Sequence, residues 1–270
     1  MNRIAASRAT FGLLLSFTLC GCSAKPGAVA EIEKSGGRVT IDKKSPDKAV
    51  IAVDLKQSEV TDAGLVHLQG FTKLQSLNLT ATQVTDAGLE HLQGLTELRS
   101  LDLRQTNVTG LEHLQGLTQL QTLELGTSRM TDAGLEHLPA LAQLQTLNLT
   151  RCTHVGDAGL AHLQGLTQLT KLRLGYTRIT DAGLRYLEGL PQLQRLELVG
   201  TQVSDAGLVH LQGLTNLESL YLYKTKITDL GLEYLKGLTR LQTLDLVDTH
   251  VTDAGVKKLR QTLPNCRIEH

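Results

Sequence analysis

Residues 74–97 read LQSLNLTATQVTDAGLEHLQGLTE, and this stretch decides the fold. Numbered 1 to 24 from Leu74, its apolar residues fall at positions 1, 4, 6, 11, 16, 19 and 22: Leu74, Leu77, Leu79, Val84, Leu89, Leu92 and Leu95. Positions 4 to 6 alternate, which predicts a short strand with one face buried. Positions 16, 19 and 22 are spaced by three, one stripe of a short helix. Thr85-Asp86 stands where the first free N–H groups of that helix need a cap and where a negative charge favours the helix dipole. Gly94 stands where the helix should end.

The same unit recurs from Val50, Leu98, Leu120, Leu144, Leu169, Leu193, Leu217 and Leu241, and seven of the nine units are 24 residues long. Internal repetition at this period signals a stacked, quasi-one-dimensional body. Burying seven aliphatic side chains contributes less than ordering 24 backbones costs, so one unit cannot fold alone. Stacking hides each flank and joins the strands into a parallel sheet. Two units depart from the pattern. In the one at Leu98, Thr109 runs straight into Gly110-Leu111, and the one at Leu144 carries an extra residue near His154 and has Gly156 where Thr is usual. Both changes lie between strand and helix, so a local irregularity with an intact stack is expected.

LxxLxLxxT followed by (I/V)TDAGLxxLxxL resembles the leucine-rich repeat superfamily. It is most similar to the cysteine-containing class and to bacterial repeat proteins carrying a TDAGL signature. The likeness covers residues 50–265. It implies an α/β leucine-rich repeat solenoid, curved, with a parallel sheet on the concave face and short helices on the convex face. It also implies protein binding as the default role. Position 9, Asn or Cys in the family, holds Ser58, Thr82, Thr106, Ser128, Cys152, Thr177, Thr201, Thr225 and Thr249. A hydroxyl there can bond the backbone of the turn, and stacking would turn these groups into a ladder.

The ends read differently. Residues 1–21 have Arg3 and Arg8 ahead of an uncharged, mostly apolar run from Ala9 to Leu19, a signal-peptide pattern too short to span a bilayer. Leu19-Cys20-Gly21-Cys22 resembles the bacterial lipobox, with Cys22 as the acylated residue; Cys20 departs from the small or aliphatic residue usual there. An ordinary signal cut after Ala24 is the alternative. Residues 22–30 read as a tether and 31–49 as an N-terminal cap: a helix over Glu31–Ser35 stopped by Gly36-Gly37, then a strand over Arg38–Asp42. Residues 266–270 read as a capping strand after Pro264.

Lys+Arg and Asp+Glu both number 27, so no global basic excess points to nucleic acid. Cys152 and Cys266 lie more than four repeats apart, roughly 20 Å at one stacked strand per 4.8 Å, beyond the ~7 Å reach of a disulfide. Two free thiols are expected.

His67, His91, His113, His137, His162 and His210 all occupy position 18 and could form a metal array. Position 18 lies about 90° from the middle of the buried stripe at ~100° per residue, which is a flank. Tyr186, Tyr234 and Lys258 replace His in three units. Neighbouring helices ~8–10 Å apart also suit a single zinc poorly, since its ligands must each come within about 2.1 Å. No phosphate-binding loop, HExxH, CxxC or GxSxG is present, so no cofactor is implied. Cys152 and His154, in the unit that departs most from the pattern, are the one Cys–His pair that could be reactive, although Cys152 at position 9 reads first as a structural turn residue.

Strand positions 3, 5 and 7 face outward from the sheet. They are mostly small or polar up to Leu169 and change character after it. Lys171 and Arg173, then Arg195, Glu197 and Val199, then Tyr221 and Tyr223, then Asp245 and Val247 form a row of aromatic, apolar and charged groups with the composition of an interaction surface. The reading is a monomeric, non-catalytic scaffold, anchored to the membrane by a lipid at the cell envelope, with a protein or peptide partner on these residues. Lateral assembly of envelope proteins without a specific ligand is the alternative, and metal binding by the histidines a second one.

Overall fold

The computed structural model describes residues 26–270. The lipobox-like Cys22 and the signal segment therefore lie outside the described residues. Eleven strands form one sheet in sequence order. They are β1 (Arg38–Ile41), β2 (Val50–Asp54), β3 (Ser76–Asn78), β4 (Ser100–Asp102), β5 (Thr122–Glu124) and β6 (Thr146–Asn148). After them come β7 (Lys171–Arg173), β8 (Arg195–Glu197), β9 (Ser219–Tyr221), β10 (Thr243–Asp245) and β11 (Arg267–Glu269). Strands β2 to β11 run parallel, each in register with the same repeat position of its neighbour, as in Leu77↔Leu101 and Leu196↔Leu220. This is an α/β leucine-rich repeat solenoid.

The seven apolar positions make the core. A single hydrophobic cluster runs from Ile32 to Ile268, and nearly every leucine in it is fully buried. The Leu98 and Leu144 units keep the register, Leu101↔Leu123 and Leu147↔Leu172, so the length changes are absorbed outside the sheet. The convex elements are slighter than the spacing predicts. Most are 3-10 turns or single α-turns such as Asp86–Leu89, and the longest helix of the stack is the terminal Asp253–Thr262. A tight 3-10 turn is slimmer than an α-helix, so it needs less room per repeat on the side opposite the strands. No helix among the described residues is long and apolar enough to cross a membrane.

At the N-terminal end, α1 spans Pro26–Lys34. The helix thus begins well before Glu31, and Ala28 and Val29, read from sequence as tether, pack partly against the core. Strand β1 pairs antiparallel with β2 and presents a mostly exposed edge. At the other end β11 covers β10.

The Thr-Asp pair does something the sequence reading missed. Its carboxylate does not serve mainly its own helix but reaches the following repeat. The Ser204 backbone N–H donates to Asp181 Oδ1 at 2.7 Å, and the Ser204 hydroxyl donates to Oδ2 at 2.6 Å. The same clamp joins Asp62 to Thr85, Asp86 to Thr109, Asp157 to Thr180, Asp205 to Thr228 and Asp229 to Thr252. Capping within the repeat is secondary: Thr180 and Thr252 accept an N–H from their own helix, whereas Thr61 and Thr85 do not. The glycine of TDAGL follows from the clamp. A Cβ on Gly207 would sit 2.5 Å from Asp181 Oδ1, and one on Gly159 would sit 2.5 Å from Asp132 Oδ1.

The position-9 hydroxyls bond the backbone of the turn as expected, but the threonines do so within one repeat, while Ser128 Oγ and Cys152 Sγ meet across repeats at 3.6 Å. Thr82, Thr106, Thr177, Thr201, Thr225 and Thr249 each donate to the carbonyl three residues back, so they close their own turns and do not ladder between repeats. Position 8 is left-handed in all nine units, from Gln57 (φ 59°) to Asp248 (φ 55°), and only Gly200 is a glycine there. In the eight units before the last, its N–H extends the strand ladder by one more bond, as from Thr127 to Thr150 O at 2.8 Å, before the chain turns away.

The clamp makes a testable double-mutant cycle. Asp181→Ala removes a charge-assisted pair of bonds and should cost about 2–4 kcal/mol. Gly207→Ala should also destabilise, because its methyl group meets the carboxylate. In Asp181→Ala/Gly207→Ala the methyl fills the vacated space, so the loss should fall short of the sum of the single losses. Urea denaturation of the four proteins measures this; strict additivity would refute the clamp as the reason for the glycine.

Candidate functional site

The outward strand positions form the concave face, and their neighbours are set by the register. Position 5 has a structural duty wherever it is Asp or Asn. Asp54, Asn78, Asp102, Asn148 and Asp245 each accept the backbone N–H two residues on. Asp245, a candidate from sequence, is committed in this way to Val247 N–H at 3.0 Å.

The remaining position-5 side chains are free to reach sideways, and with Asn148 and the position-3 Arg195 they build a network across β5 to β9. Asn148 Nδ2 donates to Glu124 Oε2 at 2.7 Å. Arg173 Nη1 lies 3.9 Å from Glu124 Oε1, and its Nε donates to Glu197 Oε1 at 3.2 Å. Arg195 Nε donates to the same oxygen at 2.8 Å, while its guanidinium stacks 4.5 Å from the centre of the Tyr221 ring. The structure thus brings together Arg173, Arg195, Glu197 and Tyr221. Lys171 stands exposed beside them. Val199, Tyr223 and Val247 are half-buried, not a freely exposed apolar row, because adjacent strands crowd one another on the inside of the curve. Lys224 Nζ lies 5.0 Å from the centre of the Tyr223 ring.

An open groove of about 610 Å³ lies on the same face, displaced toward the N-terminal repeats. Of the residues expected from sequence it takes in only Arg173 and Glu197; Arg104, Asn148, Thr150 and Arg151 line it as well. Its floor is low at Gly126, where position 7 has no side chain and an added Cβ would meet Thr150 O at 3.3 Å. Gly175 repeats that gap two strands on. These two glycines at a normally side-chain-bearing position were the signal in the sequence. Arg104 is held bidentate by Asp102, with Nη2 to Oδ2 at 2.6 Å. Arg151 instead lies over the Tyr176 ring at 5.0 Å.

The histidine column is a flank zipper. Gln69, Gln93 and Gln115 reach the Nδ1 atoms of His91, His113 and His137 in the following repeat at 2.9, 3.0 and 3.0 Å, and Glu188 reaches that of His210 at 2.6 Å. Cys152 and His154 do not form a reactive pair. Cys152 is fully buried, with Sγ 3.2 Å from Leu125 O and 3.6 Å from Ser128 Oγ, whereas His154 is exposed. Burial raises the Cys152 thiol above its usual pKa, and raises that of Cys266 to about 11.

Leucine-rich repeat family models match residues 72–130, 142–163, 165–187 and 215–260. The chain is a leucine-rich repeat protein. Among solved structures it is similar to internalin C2 from Listeria monocytogenes, at 27% identity over 90% of this chain and 92% of that one, with a TM-score of 0.59. A leucine-rich repeat protein from Leptospira interrogans matches at 21% identity over 80% of this chain and 59% of that one, with a TM-score of 0.61. The plant peptide hormone receptor RGFR1 in complex with RGF2 matches at 17% identity over 85% and 39%, with a TM-score of 0.57. No curated protein matches the sequence.

The thiols give a direct check on this packing. The thiolate is the reactive form, and both pKa values are raised, so neither cysteine should alkylate at pH 8 in the folded repeat protein. Iodoacetamide followed by peptide mapping should label Cys152 and Cys266 only after denaturation. Rapid native labelling of Cys152 would contradict its burial between repeats.

Proposed function

We propose that this leucine-rich repeat protein is a non-catalytic scaffold that holds a protein or peptide segment on its concave face. The observation that carries this reading is the groove of about 610 Å³ opening onto the Arg173–Glu197–Arg195–Tyr221 network. Arginine beside tyrosine is a usual energetic centre of a protein interface, and a parallel sheet held by its neighbours needs little reordering to bind. Structural relatives support it by analogy of fold alone: the plant receptor RGFR1 was solved in complex with RGF2. The candidate contacts are Lys171, Arg173, Arg195, Glu197, Val199, Tyr221, Tyr223, Asp245 and Val247, together with Arg151 from the groove.

The same proposal places the protein at the bacterial cell envelope, anchored by acyl chains on Cys22. Its partner is another protein, and the scaffold works as a monomer.

Two experiments test this. Replacing Arg195, Tyr221 and Tyr223 together by Ala should abolish capture of a specific partner while a convex-face control, His162→Ala, retains it. A partner captured equally by both variants would favour lateral envelope assembly. Separately, Cys22→Ala should move the protein from the membrane fraction to the soluble fraction; unchanged membrane association would remove the lipid anchor.

A further inference from the structure

Where the chain leaves each strand, positions 8 and 10 form a continuous edge beside the concave face. In the first three repeats these positions hold Gln57, Glu59, Ala81, Gln83, Gln105 and Asn107, with no cation among them. From Leu120 onward the edge becomes basic: Arg129, Arg151, Arg178, Lys224 and Lys226. Asp248 is the single acidic residue at these positions in the same stretch. The whole chain balances 27 basic against 27 acidic residues, so this segregation is a matter of placement and not of composition.

All five cations are exposed, and none lies within ion-pair distance of a carboxylate among the described residues. This separates them from Arg173 and Arg195, whose charge Glu124 and Glu197 already offset. Their backbones are fixed by bonds between repeats. Arg151 N–H donates to Gly175 O at 2.7 Å, Arg178 N–H to Val155 O at 2.9 Å and Lys226 N–H to Val203 O at 2.9 Å. Arg151 is further positioned by the Tyr176 ring, which lies against Gly200. A Cβ there would come within 2.6 Å of the ring, and Gly200 is the sole glycine at position 8. Arg151 belongs to both the edge and the groove, so the two surfaces are continuous.

We infer that this basic edge and the adjoining groove bind an acidic, extended polypeptide segment. This rests on the scaffold reading above and adds the chemistry of the partner. The edge carries two side chains per repeat, from positions 8 and 10, a narrow strip that suits a single extended chain. Same-face side chains of such a chain recur every ~6.8 Å against a repeat spacing of ~4.8 Å, a mismatch that flexible Arg and Lys stems absorb. A single-stranded nucleic acid would need ring faces for base stacking. The exposed ring here, Tyr176, is already occupied by Arg151 and Gly200.

The test uses the full chain in mild detergent and three probes: a twelve-residue Glu/Asp-rich peptide, the same peptide with Gln/Asn, and alginate as a non-peptide polycarboxylate. Fluorescence anisotropy reads peptide affinity directly and alginate by competition. The acidic peptide should bind, weaken as salt shortens the Debye length from about 10 to about 3 Å, and lose at least ten-fold in affinity in Arg151→Glu/Lys224→Glu. Thermal melts confirm that this variant folds. Equal binding of the Gln/Asn peptide, indifference to the charge reversal, or binding of alginate without the acidic peptide would each overturn the inference. A partner lost on concave substitution but insensitive to Arg151→Glu/Lys224→Glu would sink this inference alone and leave the scaffold reading standing. A partner indifferent to the concave face, with the acidic peptide still bound at the edge, would sink the scaffold reading instead.

Discussion

A carboxylate from one repeat, seated against the backbone of the next, is the interaction on which the stack depends. Leucine burial supplies most of the favourable free energy, but it is non-directional and would tolerate sliding between repeats. The clamp does not. Asp157 receives both the N–H and the hydroxyl of Thr180, and this fixes the offset between two repeats to within a hydrogen bond. It also satisfies an N–H at the start of a helical turn too short to cap itself well. The one repeat without the aspartate, at Leu98, shows the substitute. Thr131 bonds the Thr109 carbonyl, and Gly134 permits that carbonyl to approach its backbone closely.

Rigid stacking has a functional consequence. With strands held in register, each repeat position becomes a row along the molecule, and rows acquire separate duties. Positions 4 and 6 are core. Asp and Asn at position 5 hold the chain as it leaves the strand, so Glu124, Arg173, Glu197 and Tyr221 at that position are released for contact with one another and with a partner. Position 8 is left-handed throughout, and at Gln57, Gln105, Thr127 and Arg151 it carries its side chain to the rim of the groove. A left-handed non-glycine residue costs about 1–2 kcal/mol, and the extra ladder bond, made at every such residue from Ala81 to Lys224 and at Gln57, helps to offset this.

Much of the fold was legible in the leucines. Their spacing marked strand, helical turn and repeat boundary, and the buried set follows those positions closely. The misreadings share a cause. Local pattern places the aspartate of TDAGL on its own helix, because the partner it meets, as Asp181 meets Ser204, is 23 residues away in the chain. The left-handed row was invisible because Gln105, Thr127 and Tyr176 have no special preference for that region; the neighbouring strand imposes it. Alternation gives the direction of a side chain but not the closeness of its neighbours, so it marks Val199, Tyr223 and Val247 as exposed where the fold half-buries them. The groove over Gly126 was missed for the same reason.

Taken alone, the sequence determined the repeat, its period, the composition of the core and the need for neighbours, because these follow from local periodicity and from the balance of burial against chain entropy. It also set the character of each row, basic at the edge after Leu120 and aromatic near Tyr221. Tertiary structure decided which atoms meet between repeats: the aspartate clamp, the glutamine–histidine zipper, the two arginines sharing Glu197, and the depression over Gly126. Apart from Arg195–Glu197, those contacts join residues about one repeat apart in the chain. Their geometry exists only once stacking has brought adjacent strands within ~4.8 Å.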